Sequence, residues 1–325
     1  MLSNKDALYP FLCGIGLLCS MDSLAQSNSD SEAASDNTSM SWWQSSHQAA
    51  STRVAAWSEG IDEYLSGQEQ KLPSDSYVRL RMGPIINDRG EYSGFFDFKA
   101  RLKLPNTQDR LRLVIESDGD TISQDNVRGE STENIGVLDS ALDSNVSAVL
   151  RYIKEEWRAD FDAGIKVDFP LNPFVRFRLF QGERYSSWEW RQLEEVFAYY
   201  DEGAGARYQV GATYFSTPNV LLGANLGTTW LDSESTLYVR EDFYLHHQLD
   251  EKNRLNYQLS FLQEGESKVS SDSVLYFLEY HHKLYKNWLI GRVKPQMTYE
   301  ADEDYRAVLS LTLSMEILLG QKYLH

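Results

Sequence analysis

The feature that most constrains this chain is a hydrophobic period of two that begins near Tyr77 and persists to Leu319. Val78, Leu80 and Met82 alternate with Arg79 and Arg81. Phe96, Phe98, Ala100, Leu102 and Leu104 alternate with Asp97, Lys99, Arg101 and Lys103. Phe161, Ala163, Ile165, Val167 and Phe169 alternate with Asp160, Asp162, Lys166 and Asp168. Leu309, Leu311, Leu313, Met315 and Ile317 alternate with Ser310, Thr312, Ser314 and Glu316. Successive side chains of a strand point to opposite faces, so each segment is apolar on one face and polar on the other.

A soluble antiparallel sheet shows the same alternation. Three features favour a membrane instead: the segments are long, their polar faces carry dense charge of both signs, and aromatics gather near segment ends. Tyr92, Trp157, Trp188, Trp190, Trp230, Trp288 and Tyr299 are among the last, as interfacial girdles require. After the N-terminal region no stretch holds the roughly 18 consecutive apolar residues of a membrane helix. Hydrocarbon offers backbone groups no partners, so a sheet placed there must close on itself. The expectation is an all-β fold: a transmembrane antiparallel up-and-down β-barrel of about 14 strands (12 to 16) over residues 76–320, with a short N-terminal helix and a tail at 321–325.

The N-terminus fits export. Lys5 precedes an apolar run from Ala7 to Cys19, and Ser23-Leu24-Ala25 supplies small residues for cleavage, so residues 1–25 are predicted to be a secretory signal. Cys13 and Cys19, the 2 cysteines of the chain, lie within it. Residues 26–40, rich in Ser, Asp and Asn, read as a disordered linker. A stem follows at 41–75, where Ala50, Val54, Trp57, Ile61 and Tyr64 recur at helical spacing. A helix there is expected to rest its apolar face on the barrel rim, to plug the lumen, or to dock a periplasmic partner through residues 41–65.

The connections alternate in kind. Tight turns are expected at Asn106–Asp109, Lys154–Glu156, Ser186-Ser187, Pro218-Asn219, Asp250–Asn253 and Lys286-Asn287, and these are assigned to the periplasm. The others include a long acidic loop at 119–145, with Asp120, Asp125, Glu130, Glu133, Asp139 and Asp143, and are assigned to the outside. That loop lacks the ligand order of a calcium-binding hand, which leaves a solvated loop or weak association with divalent cations.

This layout resembles a family of uncharacterised Gram-negative outer-membrane proteins. The likeness rests on the signal, the Trp-rich stem of Ser41-Trp42-Trp43, Arg53-Val54 and Trp57, and the basic early strands of Lys99 to Pro105 and Arg110 to Leu113. It implies a barrel in the cell outer membrane and no particular activity. The final strand is similar to the C-terminal signal read by the barrel-assembly machinery, with Leu319 where an aromatic is usual.

The formal net charge of −17 disfavours nucleic acid as a partner. Membrane lipids, lipopolysaccharide and the assembly machinery are the expected partners, and no cofactor or metal is expected. Within the lumen, Arg79, Arg81, Lys99, Arg101, Lys103, Arg112, Arg292 and Lys294 are expected to form a basic wall. Asp160, Asp162, Asp168 and Glu194, with Glu189 as a further candidate, are expected to form an acidic wall opposite. Two such walls tune solute passage if water fills the space, or pair and fill it themselves. Of the histidines, the doublets His246-His247 and His281-His282 cannot chelate as neighbours, because adjacent residues face apart. His246 and His281 both face inward at about 10 Å from each other, two strand spacings. The leading function is a passive pore or structural barrel. The alternatives are a lipid hydrolase using His281 with Ser260, or His282, and an interaction protein acting through its stem.

Overall fold

The computed structural model describes residues 42–66, 75–107, 110–117, 146–167, 171–201 and 203–324. The expected signal, the linker, the loop at 119–145 and Asp168 lie outside the described residues. One helix, α1 (Trp42–Ser66), precedes the strands β1 (Tyr77–Asn87), β2 (Tyr92–Leu104), β3 (Leu111–Ser117), β4 (Val146–Lys154), β5 (Ala159–Val167), β6 (Asn172–Tyr185) and β7 (Trp188–Tyr199). There follow β8 (Gly203–Thr217), β9 (Val220–Leu231), β10 (Thr236–Gln248), β11 (Asn253–Gly265), β12 (Ser270–Tyr285), β13 (Leu289–Glu300) and β14 (Ala307–Leu319).

Every strand pairs antiparallel with its sequence neighbours, and β1 pairs with β14, from Val78↔Leu319 to Asn87↔Ser310. The described strands thus form one closed barrel of fourteen. Closure leaves no edge and satisfies the backbone within the sheet. The hairpins after β2, β4, β6, β8, β10 and β12 share one rim with the start of β1 and the end of β14; it is the rim expected to face the periplasm.

The wall is apolar outside and charged inside. On β5, Asp162 is 0% exposed, whereas Phe161 is 46% and Ile165 44% exposed. A globular core would reverse this order. Lipid is the solvent that rewards the outer face, so the chain sits in a membrane.

α1 lies along this rim and docks by a polar face. Its buried residues are His47, Ser51, Val54, Ser58 and Asp62. His47 Nε2 donates to the Leu318 carbonyl at 2.9 Å and its ring stacks on Trp288 with centroids 3.8 Å apart. Ser51 Oγ accepts from the Gly320 amide at 3.1 Å, Ser58 Oγ donates to the Lys103 carbonyl at 2.9 Å, and Asp62 accepts from the Asn106 amide at 3.0 Å. Of the apolar stripe expected to rest on the rim, Val54 alone is buried, while Trp57 and Tyr64 are exposed. The physical reason is the nature of a strand end. It presents backbone N–H and C=O groups without ladder partners, and these call for hydroxyls and carboxylates.

Candidate functional site: the charged lumen

The inward faces of β4 to β8 carry two ladders of alternating sign. In one, the cross-strand register places Arg151 opposite Asp162, and Asp162 opposite Arg176. Asp162 accepts from Arg151 at 2.8 and 3.0 Å, from Arg176 at 2.8 Å and from Arg178 at 3.0 Å. In the other, Asp160, Arg178, Glu195 and Arg207 follow one another across β5, β6, β7 and β8. Their nitrogen–oxygen separations are 3.4, 3.9 and 4.0 Å. Opposite charges directly across a strand pair stabilise it, and a carboxylate this buried requires such partners.

A second network spans the closure. Arg79 and Arg81 approach Asp97 at 3.0 and 3.3 Å. Arg292 pairs with Glu316, and with Glu279 at 3.4 Å. His281 Nε2 donates to Glu279 at 2.6 Å, and Arg254 donates to His281 Nδ1 at 3.2 Å. Asn256 links this group to His246, whose Nδ1 donates to the Asn256 carbonyl at 2.7 Å. His246 and His281 thus both face inward, two strands apart. Among the described residues no group of three His, Cys, Asp or Glu is placed to hold a metal.

The register sets Lys99, Arg101, Arg112 and Lys294 on the inward face as well. Lys294 lies 4.7 Å from the centre of the Phe277 ring. Lys103, at the periplasmic end, donates to Asp75 at 2.8 Å, and this bond holds the Asp75 carboxyl below its ordinary value. Glu189 faces inward, 3.6 Å from Arg191.

Two corrections follow. First, the described inward-facing residues do not divide into separate basic and acidic walls. Asp160 and Asp162 are flanked by arginines on the adjoining strands, and Asp97, Glu279 and Glu316 stand among the bases of the supposed basic wall. Second, Glu194 faces outward. Its partner is Leu179, on the lipid-facing side of β6, and it accepts from Gln192 at 2.6 Å. The inward carboxylate is Glu195, 4% exposed. The sequence is ambiguous there because both faces of β7 end in apolar residues: Val196 and Ala198 outside, Phe197 and Tyr199 inside.

Between β6 and β10 the lumen opens into a cavity of about 410 Å³, lined by Phe180, Arg191, Arg207, Gln209, Arg240 and Asp242 among others. Glycine makes this room. Gly205, Gly211, Gly223 and Gly227 face inward on β8 and β9. The Phe197 ring packs on Gly205 and the Tyr244 ring on Gly223, each so close that a Cβ has no space. Toward the rim opposite α1, Val114, Val149, Phe174, Phe197, Tyr199, Leu231 and Tyr238 form a buried apolar cluster on the inner wall.

The serine–histidine pair imagined for a hydrolase is not assembled. Ser260 donates to Asp242 at 2.6 Å. Ser260 pairs with Leu275, and His281 with Arg254. Six strand positions, about 20 Å, separate the two sites. His282 is on the outer face, bonded to Asn253 at 2.7 Å.

No protein-family model and no curated protein matches the chain. Among solved structures, it is similar to outer-membrane expressed OmpT of Vibrio cholerae, with a TM-score of 0.46 and 10% identity over 75% of this chain and 97% of that one. The outer membrane channel DcaP of Acinetobacter baumannii gives 0.43 and 10% over 77% and 99%. A KdgM porin gives 0.36 and 4% over 74% and 98%. A closed sheet of fourteen strands with an apolar exterior and a charged interior makes the chain a transmembrane β-barrel, with one helix at the rim where β1 starts and β14 ends.

Proposed function

We propose that this barrel is a passive diffusion pore whose lumen favours small anionic solutes. One observation carries the reading. The chain as a whole is acidic, at −17, yet among the described inward-facing residues Arg and Lys outnumber Asp and Glu. A water-filled pore with an excess of fixed cations raises the local concentration of anions. Two further features support passage. The charges pair sideways along the wall, and the rings of Phe197 and Tyr244 pack on glycines of the neighbouring strands. The apolar cluster near the extracellular rim would be the narrow point, so solutes would be small.

Lipopolysaccharide outside and the assembly machinery during biogenesis remain the proposed partners. The purified barrel in a planar bilayer tests the reading. Discrete conductance steps are expected, together with swelling of vesicles in solutions of small organic anions. Silence at every voltage, with no swelling, would leave a structural barrel.

A further inference from the structure

The exposed side of α1 has no role in docking, yet it is aromatic. Trp57 and Tyr64 lie seven residues apart and so share one stripe, with Trp42 at the helix start near it, beside the serine face that holds the rim; Trp43 packs instead on Tyr285 and Trp288. Trp42 is 78%, Trp57 64% and Tyr64 87% exposed. The strands beneath the helix are unusual in the opposite sense. On β4, β6, β7, β8, β11 and β12 the outward ends at this rim carry Tyr152, Tyr185, Trp188, Tyr214, Tyr257 and Tyr280, whereas β9 and β10 hold Val220, Leu222, Leu245 and His247. On β13, β14, β1, β2 and β3 those positions are Leu289, Leu319, Val78, Leu104 and Leu111. The helix covers this gap, from Trp43 at the β12–β13 turn to Asp62 at the β2–β3 turn.

The side on which it lies is also marked. Leu102 and Leu104 face outward in the register, yet are only 5% and 0% exposed, where α1 packs along β2. Trp43 meets Tyr285 edge-on at 4.3 Å, and Tyr285 pairs with the outward Leu289.

We infer that α1 is an interfacial helix that completes the periplasmic aromatic girdle across the barrel's closing seam. Its stripe of Trp42, Trp57 and Tyr64 inserts at the headgroup–acyl boundary of the inner-leaflet phospholipid. Trp and Tyr favour that depth because one end of each ring system is apolar and the other polar, and a helix with one aromatic face lies in that plane. Arg53 on the helix and Lys286 and Lys322 on the rim supply cations for lipid phosphate. The occupant follows from continuity, since the stripe extends a surface that already faces lipid on both sides of the seam. The inference does not depend on whether the lumen conducts.

Depth labelling of the full chain tests it. With Cys13→Ser and Cys19→Ser, a fluorophore is attached through Trp57→Cys or Tyr64→Cys on the stripe, and through Thr52→Cys or Glu63→Cys on the opposite face. Each protein is placed in phosphatidylethanolamine–phosphatidylglycerol vesicles, and heat-modified gel mobility verifies the barrel. Labels at 57 and 64 should shift to the blue and lose emission to a nitroxide lipid quencher, while those at 52 and 63 respond to iodide in the water. Equal iodide quenching on both faces overturns the inference and returns the stripe to a soluble partner.

Discussion

Two sectors of the lumen use the same alternating pattern to opposite ends. Across β4 to β7, Arg151, Asp160, Asp162, Arg176, Arg178 and Glu195 form a continuous ladder, with Asp162 fully enclosed by three guanidinium groups. Across β8 and β9 four inward positions are glycine (Gly205, Gly211, Gly223 and Gly227), neighbouring rings pack on two of them, and a cavity remains. One sector spends its inward side chains on the strength of the wall. The other removes side chains so that there is space beside charge. A period of two therefore fixes which face is polar but not whether that face is full or clear; the choice between Arg or Asp and Gly at each inward position decides it.

The largest effect that separates the sectors is expected at Asp162. Asp162→Ala leaves three buried guanidinium groups facing one another. Breaking a buried pair from one side costs about 3–5 kcal/mol, so the urea midpoint of the folded barrel should fall sharply. If the midpoint is unchanged, Asp160 and Glu195 together with water, rather than Asp162, compensate those arginines.

On the clear side, Gly223→Ala should leave stability nearly unchanged and lower conductance. The new Cβ meets the Tyr244 ring, which is the movable partner and must swing into the lumen. Unaltered single-channel steps would mean that the ring escapes along the wall.

The adjoining glutamates sharpen the comparison further. Glu195→Gln weakens the contacts to Arg178 and Arg207 and should shift ion selectivity. Glu194→Gln, on the lipid side, should leave selectivity as it was. The same shift from both variants would contradict the facing assigned to β7.

The smallest effect is expected at the rim. Burial beside Trp288, with the Lys286 charge adding to it, lowers the pKa of His47, against the opposing pull of the Leu318 carbonyl. The folded protein therefore favours neutral His47, and the unfolded chain binds the proton more readily. Docking of α1 should be full above the ordinary histidine value of about 6.5 and weaken as pH falls below it. Amide exchange in residues 42–50 checks this: protection should drop in acid for the native protein and stay level in His47→Gln.

Much of this architecture is legible in the sequence because a membrane imposes few choices. The turns at Ser186-Ser187, Pro218-Asn219 and Asp250–Asn253 stand out between periodic runs, and the parity of Phe96 to Leu104 sets the lumen side of β2 without further help. What escapes is whatever depends on register. Asp162 meets Arg151 and Arg176 only because two hairpins align them, and the nesting of Phe197 on Gly205 follows from the same alignment. Glu194 and Glu195 are adjacent, and nothing local distinguishes them. The helix misleads for another reason. Its apolar spacing is real, but the surface beneath it is a row of strand ends, so its serines dock while Trp57 and Tyr64 face away.

The account rests on a cationic lumen inside an acidic protein, and the reversal potential across a planar bilayer with a potassium chloride gradient measures that directly. It should take the sign of chloride selectivity and move toward zero when Arg191 and Arg240 are both changed to Gln. A potential of the cation-selective sign in the native barrel would contradict it.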